Sequence, residues 1–172
     1  MPVAELASGA SHVTLACFEV AGDLYALDVA QLREVVRWQS VTPLPRAPAL
    51  IEGVVDLRGA IVPVVDLGKV LRGTPVQGGP RARFAIVEVD GLVVGLAVEA
   101  ATEVIAVEAA ALCDPPALAA HAGYDAARAV VRRAGAPPIL VVALEHVLEC
   151  VYRSALPVEE GAAVNAADRR LP

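Results

Sequence analysis

The sequence has few aromatic residues, few cysteines and no long apolar run, and each shortage excludes something. Phe, Tyr and Trp make up 3% of the 172 residues, whereas hydrophobic residues make up 56%, so the core must be built from Val, Leu, Ile and Ala. No apolar run reaches the roughly 18 residues that a membrane-spanning helix requires. The first residues have neither a basic start nor an apolar stretch. We therefore expect no secretory signal and a cytoplasmic protein.

Recognisable catalytic and ligand-binding motifs are also absent from the sequence. There is no phosphate-binding loop, no serine-nucleophile elbow and no His-Glu-x-x-His zinc motif. Cys17, Cys113 and Cys150 are odd in number and far apart, so we expect buried free thiols and no disulfide framework or metal site. The net charge of -6 argues against nucleic acid and anionic lipid as partners. These features predict no metal and no cofactor.

Short valine-rich segments recur throughout the chain and are separated by Gly, Pro or Asp. Their length and flanking turn residues predict hairpins at residues 13–29, 53–66 and 127–144. Residues 82–107 predict a three-stranded meander. Residues 72–81 are rich in Gly and Pro and predict a loop between two lobes.

The end of the chain has a different pattern, because apolar residues at 144, 147, 148 and 151 have the spacing of one helix face. About ten short strands with one terminal helix favour small β-barrels over a parallel α/β sheet.

The stretch GVVDLRGAIVPVVDL, residues 53–67, has two interpretations. Asp56, Asp66 and Arg58 are the residue types of an acid–base site. Alternatively, Arg58 and Gly59 form a tight hairpin turn that presents one charge, with Gly59 supplying a positive φ. Asp66 then caps the short helix that follows, and Asp56 bonds its own turn. Glu34 is the expected partner of Arg58, although a solvated surface arginine is an equal alternative from these residues alone.

Longer motifs resemble those of the CheW family of chemotaxis coupling proteins. These are FEVAGDLYALDVAQLREVVRW, TPLPRAPALIEGVVDLRGAIVPVVDL, GLVVGLAVEAATEVIAV and PPILVVALEHVL. The resemblance extends from about residue 13 to residue 152, and the string around Arg58 is its most specific part.

The resemblance implies a mostly β fold of two five-stranded SH3-like β-barrel subdomains around a shared hydrophobic core, with a short C-terminal helix. We expect the first barrel at about residues 13–71, the second at about 82–143 and the helix at 144–152. Residues 1–12 and 157–172 are expected to be flexible ends. No enzymatic activity is implied.

The family's function implies the partners. Its members are adaptors that join the cytoplasmic tips of methyl-accepting chemoreceptors to the regulatory domain of a CheA-type histidine kinase, at receptor arrays on the inner membrane. Ring or array assembly would follow. The alternative within the family is an adaptor of a non-flagellar chemosensory system, for surface motility or development, with altered or lost kinase coupling.

The same resemblance assigns candidate partner-binding residues. Arg58 matches the family's hairpin arginine, and Glu34 matches the acidic residue that pairs with it. Leu32 lies at a position of receptor and kinase contact. Receptor binding is implied for Gly53, Gly59 and Val104.

Three positions depart from the family pattern. Asp56 stands in place of asparagine, Ala100 in place of a frequent glycine and Ala143 in place of an aspartate. Two of the three lie in the second half of the chain. We therefore expect a well-kept first barrel, and a diverged second barrel whose kinase contact is the open question.

Overall fold

The computed structural model describes residues 11–116 and 126–155. Its strands are β1 (His12–Val20), β2 (Asp23–Asp28), β3 (Leu32–Arg37), β4 (Ile51–Leu57), β5 (Ala60–Asp66), β6 (Arg83–Val89), β7 (Leu92–Val98), β8 (Ala100–Glu108), β9 (Leu112–Cys113), β10 (Ala127–Arg133) and β11 (Ala136–Val142). Its α-helices are α1 (Leu67–Arg72) and α2 (Leu144–Ala155), and 3-10 turns cover Val29–Gln31 and Ala109–Ala111. The expected flexible tail at 157–172, and all but the last two residues of the expected flexible N-terminus, lie outside the described residues.

The strands form two sheets, and the expected mostly β fold with two SH3-like subdomains and a short C-terminal helix is confirmed. One sheet has five strands in the order β3-β6-β7-β5-β4. The other has six, in the order β8-β1-β2-β11-β10-β9, because the two-residue strand β9 extends it beyond the expected five.

The two sheets share one internal plan. Setting β9 aside, each order reads as an outer strand, an antiparallel hairpin, a parallel junction and a second hairpin. The parallel junctions join β5 to β7 in one sheet and β2 to β11 in the other. Parallel neighbours cannot be joined by a tight turn, so these junctions bring together distant parts of the chain.

This plan overturns the expected division of the chain into consecutive barrels at about residues 13–71 and 82–143. The five-stranded sheet takes β3, β4 and β5 from the first half of the chain and β6 and β7 from the second. The six-stranded sheet takes β1 and β2 from the first half and the remaining strands from the second. The two halves are therefore interleaved.

The hairpin predictions at residues 13–29, 53–66 and 127–144 are confirmed by the β1–β2, β4–β5 and β10–β11 pairings. The predicted meander is wrong in its third strand, because β8 pairs with β1 and belongs to the other sheet. The loop at residues 72–81 does not lie between lobes, because it leads from α1 to β6 within the five-stranded subdomain.

A shared hydrophobic core holds the two sheets together. Phe18 and Leu27 from the six-stranded sheet belong to the same buried cluster as Phe84 and Leu96 from the five-stranded sheet. Burying a side chain of this size contributes about 1.5–3 kcal/mol. A smaller cluster fills the six-stranded sheet around Leu15, Cys17 and Ile139.

Helix α2 packs through its predicted apolar face. Leu144, Val147 and Val151 are buried in the shared core, and the partly buried Leu148 packs against it. In residues 11–116 and 126–155, no helix is both long enough and apolar enough to cross a membrane.

Candidate protein-interaction site

The β4–β5 hairpin ends in a two-residue turn formed by Arg58 and Gly59, between the paired residues Leu57 and Ala60. Both turn residues have a positive φ, 54° at Arg58 and 86° at Gly59. Two left-handed residues match the right-handed twist of a tight hairpin. The sequence predicted this conformation at Gly59 but not at Arg58.

Arg58 pairs with Glu34 as expected, since its Nη2 lies 2.7 Å from Glu34 Oε2. The Arg58 side chain is 81% exposed and that of Glu34 is 35% exposed. Asp56 Oδ1 accepts a hydrogen bond of 2.7 Å from the Gly59 backbone N–H, which fixes the turn from within. A pair this exposed contributes only about 0–1 kcal/mol to stability. The turn therefore holds a cation outward with little gain in stability.

The ion pair lies at the seam where the five-stranded sheet closes from β3 towards β4. Beyond β3, Thr42 exchanges two backbone hydrogen bonds with Val54, at 2.9 and 2.8 Å. Gln39 Nε2 also donates to the Asp56 carbonyl oxygen, at 3.4 Å. Three residues that follow Leu32 thus hold the β4–β5 hairpin, namely Glu34, Gln39 and Thr42.

Gly53 is buried beneath this seam. Its φ is 146°, and a Cβ built there would lie 2.1 Å from the Thr42 carbonyl oxygen. Only glycine lets the two backbones approach this closely. Gly53 therefore shapes the seam from below, whereas Gly59 lies exposed at the tip itself.

An apolar groove opens where the two subdomains meet. It measures about 210 Å³, and Leu32, Val35 and Val104 line it above Phe18. Val104 is 66% exposed and Val35 is 39% exposed, although both are large apolar side chains. The groove thus brings together Leu32 and Val104, two candidate residues that are distant in sequence. It also includes Val35, which sequence reasoning missed although it lies between two arginines on β3.

The groove and the hairpin tip share strand β3, which supplies Leu32 to one and Glu34 to the other. The opposite wall comes from β8, which occupies in the six-stranded sheet the place of β3 in the five-stranded sheet. The candidate residues of both strands are thus brought to one interface by the interleaved fold.

The acid–base hypothesis is wrong on geometry. Asp56 is exposed near the hairpin tip, opposite Ile61. Asp66 is five residues beyond Ile61 along β5, a separation of about 17 Å. Asp66 is 3% exposed and accepts hydrogen bonds from the backbone N–H groups of Lys69 and Val76. It is the predicted cap of α1 and also tethers the following loop.

The cysteines are free thiols, but only one of them is fully buried. Burial, and secondarily the nearby Glu103, raise the pKa of Cys17 to about 11, and Arg133 opposes the shift. Cys113 and Cys150 are partly exposed, which corrects the expectation of three buried thiols. Among the described residues, no group of three or more His, Cys, Asp or Glu side chains could hold a metal ion.

A larger cavity, of about 580 Å³, lies elsewhere, between β2, the end of α1 and the β10–β11 hairpin. None of the expected partner-binding residues lines it. Its wall includes Pro116, the last residue described before the gap at 117–125.

The site thus consists of an apolar groove between two interleaved barrels and a displayed ion pair beside it. The family model described as CheW-like domain matches residues 14–151. The chain belongs to this family.

Individual relatives agree with the family match. The chain is 30% identical over 155 residues to the chemotaxis protein CheW of Rhizobium meliloti (strain 1021), covering 87% of this chain and 99% of the relative. It is 32% identical over 120 residues to the protein FrzA of Myxococcus xanthus, covering 69% and 74%. The crystal structure of the scaffolding protein TtCheW from Thermoanaerobacter tengcongensis superimposes with a TM-score of 0.70 at 30% identity, covering 78% of this chain and 86% of that one.

Proposed function

We propose that this protein is a non-enzymatic adaptor that couples methyl-accepting chemoreceptors to a CheA-type histidine kinase in a cytoplasmic signalling array. The observation that carries the proposal is the groove, in which Leu32 and Val104 meet beside the Glu34–Arg58 pair. Family membership supports a chemotaxis adaptor as the general role.

The groove is the proposed receptor site. Val35 and Val104 expose apolar surface at the meeting of two subdomains, where a partner helix could bury it. Leu32 and Val36 of β3 pack against the shared core, and Ile105 and Val107 of β8 pack against the smaller cluster, so the groove exists before the partner arrives. A preformed site spares the binding free energy the cost of ordering loops.

The hairpin tip is the proposed second contact, with Arg58 as its central residue. A solvent-exposed ion pair adds little to folding, but truncating one partner of a charge pair that becomes buried at an interface costs about 2–5 kcal/mol of binding free energy. Arg58 and Glu34 are thus more valuable when desolvated by a partner than in the free protein. The tight turn supports this role because it limits the backbone freedom of Arg58.

A binding titration tests the proposal. The regulatory domain of the histidine kinase and the cytoplasmic signalling domain of the chemoreceptor encoded nearest to this gene would each be titrated with the wild type, Arg58→Ala and Val104→Glu. We expect micromolar binding by the wild type, weakened by Arg58→Ala and abolished for the receptor domain by Val104→Glu. A wild type that binds neither domain would disprove the adaptor function.

The match to FrzA, a relative that is not named as a chemotaxis protein, supports one alternative. In that alternative the protein serves a non-flagellar chemosensory system, for surface motility or development, and its kinase contact is altered or lost. Deleting the gene separates the two roles. Loss of swimming chemotaxis supports the first, and loss of surface spreading with normal swimming supports the second.

A further inference from the structure

A second cleft, of about 280 Å³, opens at the end of β3, and two arginines line it. Arg37 on β3 and Arg83 on β6 are directly opposed in the antiparallel register. Directly opposed residues project from the same face of a sheet, and like charges in such a pair are destabilising. This pair therefore weakens the free protein unless another charge is supplied.

Neither arginine is neutralised within the described residues. Arg83 Nη1 donates to the carbonyl oxygens of Pro80 and Ala82, at 2.9 and 2.8 Å, which fixes its guanidinium without cancelling its charge. Arg37 is exposed and takes part in no ion pair there. The neighbouring Arg81, by contrast, pairs with Glu19 at 2.9 Å. A local excess of positive charge is thus concentrated in a chain of net charge -6.

The wall of this cleft is closely packed around Trp38. The Trp38 ring stacks on Phe84 with centroids 4.7 Å apart and planes 26° apart. Gly78 also packs so closely against Trp38 that a Cβ there would lie 3.1 Å from the indole. Trp38 is therefore held between the core and the loop that carries Pro80.

The cleft continues the apolar groove. Val35 lines the groove and Arg37 lines the cleft. Residues two apart on a strand project from the same face about 7 Å from one another. A segment lying in the groove along β3 would reach the two arginines at its end.

We propose that Arg37 and Arg83 bind acidic side chains of the protein segment that occupies the groove. The inference rests on the proposed function and specifies its partner as a segment with apolar residues for the groove followed by Asp or Glu for the cleft. A carboxylate between two guanidinium groups makes charge-assisted hydrogen bonds to both and removes their repulsion. The partner is thus recognised by an arginine pair whose repulsion destabilises the free protein.

Trp38 is the single tryptophan of the chain and lines the cleft, so its fluorescence reports on binding there. We expect hexaglutamate to change this fluorescence saturably in the wild type, weakly in Arg37→Lys and not in Arg37→Glu. Arg132→Glu is the matched control, because Arg132 is an exposed arginine on β10 in the other sheet and should respond like the wild type. A wild type that gives no saturable change, or inorganic phosphate that binds as tightly as the peptide, would overturn the assignment.

Stability gives a second, independent readout. Arg37→Glu replaces a repulsive cross-strand pair with an attractive one, so its melting temperature should equal or exceed that of the wild type. A clearly lower melting temperature would contradict the proposal that the pair is maintained at a cost to the fold.

The receptor titration separates this inference from the adaptor function. Arg37→Glu should weaken binding of the receptor signalling domain about tenfold and reduce its salt dependence, whereas Val104→Glu should abolish it. Receptor binding that is unchanged by Arg37→Glu overturns the cleft and leaves the adaptor function standing. If the wild type does not bind the receptor domain but its fluorescence still responds to the peptide, the adaptor function is contradicted and the assignment of the cleft stands.

Discussion

The five-stranded and six-stranded sheets share one internal plan once β9 is set aside, but they differ in where an arginine lies at the tip of the second hairpin. In the five-stranded sheet Arg58 lies in the hairpin turn, 81% exposed, and reaches Glu34 across the seam. In the six-stranded sheet Arg133 lies one residue before the equivalent turn and reaches Glu103 on β8 at 3.3 Å, with its side chain 29% exposed. Its Nε is buried and has no hydrogen-bond partner. Moving the arginine by one position thus turns a displayed cation into a packed one.

The helices that follow the two hairpins differ in a related way. Asp66 caps α1 and holds the loop at Val76. The corresponding place before α2 is occupied by Ala143, whose carbonyl oxygen accepts from the backbone N–H groups of His146 and Val147. The start of α1 thus depends on a buried carboxylate, whereas α2 starts through backbone contacts. Ala143 is one of the three positions at which the sequence departs from the family pattern, and the divergence expected for the second barrel stays a prediction.

The largest expected difference between the two subdomains is in the free energy of unfolding lost when a glycine is replaced by alanine. Gly53→Ala would drive a Cβ into the Thr42 carbonyl and break the seam of the five-stranded sheet, so we expect a loss of about 3 kcal/mol or more in the free energy of unfolding. Gly135→Ala, at the open turn of the β10–β11 hairpin, should cost about 1 kcal/mol, from its positive φ alone. Urea denaturation of both variants measures the difference. Equal losses would show that the Gly53–Thr42 approach is not what the fold requires.

The next largest effect is the stability lost when Asp66, which caps α1, is replaced. Asp66→Ala leaves the N–H groups of Lys69 and Val76 without their acceptor, so we expect a loss of about 2–3 kcal/mol. Asp66→Asn keeps one oxygen and should recover about half of that loss. Thermal unfolding of the two variants tests this. If both match the wild type, the buried carboxylate does not stabilise α1 and the loop that follows it.

Truncating Arg58 and Arg133 in separate variants should give opposite effects: the first should reduce binding, and the second should reduce stability. Arg58→Ala should change stability by less than about 1 kcal/mol while weakening partner binding by about 2 kcal/mol. Arg133→Ala should lower stability by about 1–2 kcal/mol, because packed guanidinium and stem are lost, and should leave binding at the hairpin tip intact. Parallel melting and titration experiments measure both quantities. A large fall in melting temperature for Arg58→Ala would make that residue structural.

The smallest expected effect is a loss of stability at high pH that comes from Cys17 in the six-stranded sheet. The pKa of Cys17 is raised from 9.0 to about 11 in the folded protein. Between these values the unfolded chain loses the thiol proton and the folded chain keeps it, so stability is full below pH 9 and falls as pH rises towards 11. At pH 10 the wild type should have lost about 1 kcal/mol relative to its own stability at pH 8. Cys17→Ala should not show this loss, and identical profiles for the two proteins would contradict the shift.

Much of the local structure could be read from the residues. Short valine-rich segments between turn residues predicted the strands, the Arg58-Gly59 pair predicted a tight turn, and Asp66 was recognised as a cap. The expected partner of Arg58 was also correct. The strands, the turn and the cap depend on neighbours in sequence or on turn chemistry, which a single chain displays directly.

The partition of strands between the sheets could not be read in the same way. The valine-rich composition of β8 predicts a strand, but not that its partner is β1 rather than β7. The same limit hid Val35, whose exposure has meaning only because β8 stands across from it.

The sequence by itself determined the β-rich class, the positions of the hairpins and the identity of the displayed arginine, because each follows from short-range periodicity and backbone preference. Tertiary structure alone decided that the two halves interleave, that Leu32 and Val104 line one groove, and that Arg37 faces Arg83. Parallel junctions, the antiparallel pairing of β3 with β6 and shared burial create those contacts. The free energy that selects them comes from apolar surface buried between segments far apart in the chain, which no local pattern encodes.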